Sequence, residues 1–285
     1  FRRVLFRSGG KVPHSRYYGT VDATPLFLIT LAETTRWTND LELARELLPA
    51  AEAALAWIEH HADLDGDGFV EYSRRSRQGL QNQGWKDSHD SVNFADGRPA
   101  DGPIALCEVQ GYVYRAHLGM AWLYGMLNRS ANAKDQAMKA AELKRRFNKH
   151  FWIEDRKIIA MALDGDKRPV DTVTSNMGQC LWTGIVDRDK AAYVASRLMA
   201  EDMYSGWGVR TLSTAMSTYN PISYHNGSVW PHDNAIIAAG LSSYGFRLDA
   251  GRVIRGIIDA ASHFPQHRLP ELFAGYPRGD DDFPV

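Results

Sequence analysis

The chain has 285 residues, is 44% hydrophobic and carries a net charge of −1 at neutral pH. That length and apolar content fit one large domain with a sizeable core. The near-neutral balance gives no electrostatic case for a nucleic-acid partner or an anionic membrane surface, and no apolar run reaches transmembrane length.

The opening run, Phe1-Arg2-Arg3-Val4-Leu5-Phe6-Arg7-Ser8, reads like a translated adapter fused to a partial gene. Residues 1–8 are therefore set aside as a non-native leader, and 9–285 are taken as one partial domain. The chain stops in mid-loop at Asp282-Phe283-Pro284-Val285, so a fragment is expected. Localisation stays open on this reading, with the cytoplasm favoured.

From about residue 22 the pattern is helical and alternates between two kinds of helix. Segments 22–36, 105–127, 175–183 and 228–244 are apolar almost all round and rich in small residues, which predicts helices buried on most sides. Each is followed by an amphipathic segment. Residues 40–62 carry Leu43, Leu47, Ala51, Ala54 and Ile58 at helical spacing. Residues 131–149 are highly charged, with a weaker stripe of Ala137, Ala141 and Phe147. Residues 187–200 carry Ala191, Val194, Ala195, Leu198 and Met199, and 248–264 carry Ala250, Val253, Ile254, Ile257, Ile258 and Ala261. The alternation predicts four helical hairpins, an inner row wrapped by an outer row. Lys157–Leu163, followed by Asp164-Gly165-Asp166, reads as a strand and turn, and Phe69–Tyr72 as a weaker strand. Cys107 and Cys180 fall inside apolar helices and read as buried free thiols rather than a disulfide.

The connections are asymmetric. Inner-to-outer links are short, at Thr38-Asn39, Arg129-Ser130, Gly184 to Val186 and Gly245 to Arg247. Outer-to-inner links are long: 63–104, 150–174, 201–227 and 265 onward. Long connections in a compact helical domain tend to be functional. In a row of hairpins they all emerge on one rim, and the chemically unusual motifs sit there.

Gln81-Asn82-Gln83-Gly84-Trp85-Lys86-Asp87-Ser88-His89-Asp90 places a tryptophan, a lysine and two carboxylates in one loop. Asp87 is the candidate general acid, with Asp90 as the alternative or as a sugar-binding neighbour. Such an acid needs burial or a second carboxylate to hold its proton. A second carboxylate, Glu271, lies in Leu269-Pro270-Glu271-Leu272-Phe273-Ala274-Gly275-Tyr276 and is the candidate base. Two carboxylates on separate loops beside aromatic rings match glycoside hydrolysis, where one protonates the leaving oxygen and the other activates water.

The run Tyr224-His225-Asn226-Gly227-Ser228-Val229-Trp230-Pro231-His232-Asp233-Asn234 is dense in hydrogen-bonding groups and rings. His225 and Asn226 fit sugar hydroxyls; helix capping by Asn226 or Ser228 is the structural alternative. His225 and His232 lack a third ligand at metal spacing, and no metal or cofactor is expected. Asp22, Glu108 and Gln110 fall near the starts of buried helices, where a charge needs a partner or a solvated cavity; for Asp22 the helix N-terminus is the alternative. Asp63-Leu64-Asp65-Gly66-Asp67-Gly68-Phe69-Val70-Glu71 has calcium-loop oxygens at its first, third and fifth positions. The closing twelfth position is Arg74, so a metal-free acidic turn is favoured.

From about residue 16 onward, these motifs resemble the bacterial glycogen-debranching-enzyme-like (amylo-α-1,6-glucosidase-type) glycoside hydrolases, related to trehalase, glucoamylase and the processing α-glucosidases. The resemblance rests on YYGTVDATPLF, DGDGFVEY, NQGWKDS, EVQGYVY, SNMGQCLWTGI, SGWGVRTLS, YHNGSVWPHDNA and ELFAGYPR, in that order. It implies an all-α (α/α)6 toroid, here about four of six hairpins, with short β-hairpins in the rim loops. It further implies an inverting α-glucosidase acting on terminal or α-1,6 branch linkages, with Asp87 as acid and Glu271 as base. The implied sugar site is lined by Tyr18, Asp22, Trp85, Lys86, Asp90, Glu108, Gln110, Trp207, Arg210, His225, Asn226 and Trp230. The implied partner is an oligosaccharide or small glycoside; oligomeric state is not read. At least one hairpin is expected to be missing at each end, leaving a weakly stable and weakly active piece. A sugar epimerase using His225 and His232, and a binding-only carbohydrate module, are the rival readings.

Overall fold

The computed structural model describes residues 19–74, 79–279 and 284; the set-aside leader, Tyr18 and most of the C-terminal tail lie outside the described residues. Among the described residues, eight α-helices form four hairpins. The inner helices are α1 (Ala23–Thr38), α3 (Cys107–Met126), α5 (Asn176–Thr183) and α7 (Pro231–Ser243). The outer ones are α2 (Leu41–His60), α4 (Ser130–His150), α6 (Arg188–Leu198) and α8 (Arg247–Ser262). Each inner helix packs on its own outer partner, and the inner row runs α1 on α3, α3 on α5, α5 on α7. None of the described helices is long and apolar enough to cross a membrane.

Local signals set the short turns. Asn39 takes a left-handed conformation after α1 and closes it on Thr35 O, and the Asp40 carboxylate then caps α2 by accepting from Leu43 N at 2.9 Å. Gly184 does for α5 what Asn39 does for α1, at φ 82°. The inner helices touch through small residues. A Cβ on Gly240 of α7 would lie 2.6 Å from the backbone nitrogen of Trp182, so only glycine lets α7 meet α5 there. Leu28, Met120, Leu123, Leu181 and Ile237 are fully buried by this packing, each contributing on the order of 2 kcal/mol by removal from water.

The amphipathic stripes need adjustment. α6 buries Ala191, Val194, Ala195 and Leu198 as expected. In α2 the deepest residues are Ala44, Leu48, Ala51, Leu55 and Ile58, with Leu47 and Ala54 half-buried at the edge. In α4, Ala137 and Ala141 are exposed; the inward face is Gln136, Ala140, Leu143 and Phe147, set where Gln136 bonds the buried His117 of α3 at 2.7 Å. In α8, Ile254 and Ile258 are exposed, and Ala250, Val253, Gly256 and Ala260 face inward. The cause is a close approach: a Cβ on Gly256 would lie 2.4 Å from Trp207 O, so the smaller face wins over the more apolar one.

The expected strand 157–163 is split between two sheets. β2 (Trp152–Ile153) pairs antiparallel with β3 (Ile158–Ile159), whereas β4 (Ala162–Leu163) lies between β1 (Ala105–Leu106) and β5 (Pro169–Val170). Of Phe69–Tyr72, Tyr72 alone forms a bridge, to Ile104. Cys107 and Cys180 are buried free thiols. The long loops all precede inner helices, so the first turns of α3, α5 and α7 and the loops above them lie on one rim.

Candidate active site

The loop carrying Asp87 is knitted from below. Tyr72 donates its hydroxyl to Asn82 Oδ1 at 2.9 Å, and the Asn82 amide donates to Ser88 O at 2.7 Å. Ser91 closes the turn by donating to Lys86 O at 2.6 Å. Lys86 points inward, is 3% exposed, and donates from Nζ to Thr211 O at 2.7 Å. Burial pushes its ammonium down to about 8, against the attraction of Asp233 and Glu108. Asp87, the next residue, is half-buried and lies near Asp22. Burial raises the Asp22 carboxyl; the Thr20 hydroxyl opposes the rise and the Asp87 charge adds to it.

The loop carrying Glu271 is docked on the segment just before α7. Val229 and Phe273 exchange backbone hydrogen bonds at 2.8 and 3.0 Å. The Arg210 guanidinium donates to Gly275 O at 2.5 Å and to Glu201 O at 3.0 Å. The contact is so close that a Cβ on Gly275 would sit 1.8 Å from Gly227 O. Beneath it, Trp207 packs with Val229, Ala260 and Phe273 in a small separate core.

Three consecutive residues connect the two loops. Tyr224 donates its hydroxyl to Glu271 Oε1 at 2.7 Å. His225 Nδ1 lies 2.8 Å from Ser88 Oγ, one residue after Asp87. Asn226 donates to Asp90 O at 2.9 Å. Around them, His225 stacks on Trp230 with ring centres 5.2 Å apart, and Trp85 meets His225, Trp230 and His232 edge-on at 5.6, 5.8 and 5.1 Å. Burial, then Lys86, then His232 push His225 down to about 3, so its ring is neutral at physiological pH.

The floor below is polar. Glu108, in the first turn of α3, is 1% exposed, and burial raises its carboxyl to about 7 against the pull of Lys86. Asn176 at the start of α5 lies close enough to temper that rise, yet neither atom of its amide completes a hydrogen bond among the described residues. Asp233, in the first turn of α7, accepts from Gln179 at 2.6 Å through Oδ1, while its Oδ2 has no partner among them. Glu108 Oε1 and Trp85 Nε1 are likewise buried and unpaired among the described residues. Unpaired buried polar atoms are few in native proteins and concentrate where function needs them.

The expected site residues thus divide by what they touch. Asp22, Trp85, Lys86, Asp87 and Glu108 gather on the side of the Asp87 loop, and His225, Asn226, Trp230 and Glu271 on the other, with Trp85, His225 and Trp230 in ring contact across the join. Gln110 serves structure instead: its amide bonds Val70 N, Val70 O and Leu106 O at 2.9, 2.7 and 3.0 Å. Arg210 and Trp207 hold the Glu271 loop from behind. Asp90 accepts from Asn226 through its backbone carbonyl, and its carboxylate is half-exposed. Tyr18 lies outside the described residues. Asn176, Tyr224, His232 and Asp233 were missing from the expected set, although all four fall inside the quoted motifs. In the loop after α2, Asp63, Asp65 and Glu71 offer carboxylate oxygens within 4.8 Å of one another.

A model of the mannosylglycerate hydrolase MGH1-like glycoside hydrolase domain matches residues 3–276. Solved structures that share the fold include three of note. One is a mannosylglycerate hydrolase from Thermus thermophilus in complex with glucose, 18% identical, TM-score 0.71, covering 95% of this chain and 75% of its own. The second is an uncharacterised conserved protein from the same organism, 15% identical, TM-score 0.71, covering 92% and 73%. The third is a neutral trehalase from Saccharomyces cerevisiae, 12% identical, TM-score 0.55, covering 66% and 37%. A search of curated proteins by sequence finds no match. The four hairpins are therefore those of an α/α toroid of the six-hairpin glycosidase type, and the chain belongs to the MGH1-like family of glycoside hydrolases.

Proposed function

We propose that this hydrolase cleaves a small α-glycoside with inversion, Asp87 acting as general acid and Glu271 as general base. The carrying observation is the Tyr224-His225-Asn226 bridge, which bonds the Glu271 carboxylate at one end and the Asp87 loop at the other. The two loops that carry these carboxylates are thereby tied to one segment, which would keep them in register for a concerted displacement.

In the proposed reaction Asp87 gives its proton to the glycosidic oxygen as the bond from that oxygen to the anomeric carbon breaks. Glu271 takes a proton from a water whose oxygen attacks the opposite face. The products are the free alcohol and the sugar with inverted anomeric configuration. Tyr224 holds the Glu271 carboxylate by its hydroxyl. Asp22, whose carboxyl burial raises, stands beside Asp87 and offers an oxygen to a substrate hydroxyl. Trp85 and Trp230 supply ring surface for the sugar, and Glu108, Asn176 and Asp233 supply hydrogen-bonding capacity at the floor. Lys86, Arg210, Trp207 and Gln110 position the loops.

The substrate expected from the glycogen-debranching resemblance is a terminal or α-1,6-linked glucoside. A second reading, an α-mannosyl-glycerate, is favoured by the solved mannosylglycerate hydrolases, one of them in complex with Tris and D-glycerate. Incubation with isomaltose, maltose, trehalose and mannosylglycerate, followed by chromatography of the free sugars, separates the two. Release of sugar from none of the four, or equal release by a Glu271→Gln variant, sinks the proposal. Proton transfer by a histidine pair, as an epimerase needs, is not supported by a neutral His225 stacked on Trp230 and bonded to Ser88.

A further inference from the structure

The acidic loop after α2 has the spacing of a calcium loop and a different closing group. Asp63 turns both carboxylate oxygens to the backbone, accepting from Gly66 N and Gly68 N at 2.8 Å each. Asp65, Asp67 and Glu71 each use one oxygen the same way, on Asp67 N, Phe69 N and Leu64 N at 3.2, 2.9 and 3.2 Å. Their second oxygens converge on one point, and the Lys167 ammonium stands on it. Nζ lies 2.6 Å from Asp65 Oδ2, 2.6 Å from Asp67 Oδ2 and against Glu71 Oε1. An ammonium has three protons, and here three carboxylates take them.

Lys167 comes from the β4–β5 turn, 96 positions after Glu71 in sequence. Its backbone is held in a left-handed conformation at φ 61°, with its amide donating to Asp164 O at 2.9 Å. The side chain is thus presented from a rigid turn. Glu71 is fully buried, so without a cation its charge would be stranded. The position where a calcium loop carries its bidentate glutamate is Arg74. The loop also backs the candidate site, since Tyr72 next to Glu71 bonds Asn82 of the Asp87 loop.

We propose that Lys167 is the resident cation of loop 63–71. The chain supplies an ammonium where a calcium loop takes an ion, which makes the fold independent of calcium. Removing the ammonium exposes an oxygen-lined divalent-cation site.

The test is thermal unfolding of the full chain, wild type and Lys167→Met, in EDTA and in about 5 mM calcium. The wild type is expected to melt at the same temperature in both. K167M is expected to melt lower in EDTA and to recover by about 5 °C in calcium, the shift for an ion held at ~10⁻⁴ M in a domain of this size. If K167M does not fold without calcium, a K167M/D65N/D67N variant is expected to fold in EDTA, because the unbalanced carboxylates are gone. A calcium-stabilised wild type overturns the proposal. So does a K167M protein that neither weakens nor responds to calcium, or a triple variant that fails to fold.

Discussion

Replacing Glu108 by glutamine removes a carboxylate that is 1% exposed while keeping its shape. Burial raises this carboxyl from 4.5 to about 7, with Lys86 opposing. The folded state therefore holds a proton between those pH values that the unfolded state has released. Stability from this group is present in full below about pH 4.5 and is lost as pH rises through about 7. At ~1.4 kcal/mol per unit, the loss is on the order of 3 kcal/mol. Glutamine cannot ionise, so the variant should gain about 3 kcal/mol on the wild type between pH 4.5 and 7.5. Groups remote from Glu108 cancel in that difference, whereas Lys86, which Glu108 attracts, adds its own change near its titration at about 8. Lys86 is protonated through most of the window, since it titrates at about 8. The assay is urea unfolding followed by tryptophan fluorescence at several pH values. Parallel stability curves, differing by a constant within ~0.5 kcal/mol, would mean that Glu108 is solvated and the polar floor is not as described.

Three further outcomes are expected at the Glu271 loop. Tyr224→Phe removes the hydroxyl donated to Glu271 and should lower kcat about tenfold with KM nearly unchanged, since one such bond is worth ~1.4 kcal/mol; an unaltered kcat disconnects Tyr224 from the chemistry. Gly275→Ala drives a methyl group into Gly227 O and should abolish activity while the far-UV circular dichroism keeps its helical signal; an active, normally melting variant contradicts the close docking. Arg210→Met strips the bonds to Gly275 O and Glu201 O and should cost about 1–2 kcal/mol in urea unfolding, the loss of two charge-assisted bonds with Tyr219 still donating to Gly275 O.

The hairpins were legible because two periodicities alternate: all-round apolar helices cannot sit at a surface, and striped ones must. Loop length marked the rim for the same reason, since a long connection exposes backbone that only a rim can solvate. The inward faces of α4 and α8 were not legible. Ile254 and Ile258 are more apolar than Gly256 and Ala260, but closeness to Trp207 O rewards the absence of a side chain, which no hydrophobic stripe reveals. Asp87 and Glu271 stood out as carboxylates in aromatic loops. Their link through Tyr224, His225 and Ser88 did not, because it joins residues 47 and 137 positions apart. Arg210 and Gln110 read as sugar ligands by type, yet carbonyls and amides of the backbone claim them. Lys167 was invisible for the same reason: the calcium-like spacing was in view, and its cation comes from a distant turn.

The central claim is inversion by Asp87 and Glu271, and proton NMR of the first turnover tests it most directly. With an α-glycoside that the protein cleaves, the initial product is expected to be the β-anomer, relaxing later to the mutarotated mixture. Asp87→Asn and Glu271→Gln should each lose at least about a hundredfold in kcat. An initial α-anomer, or either variant retaining wild-type turnover, contradicts the assignment.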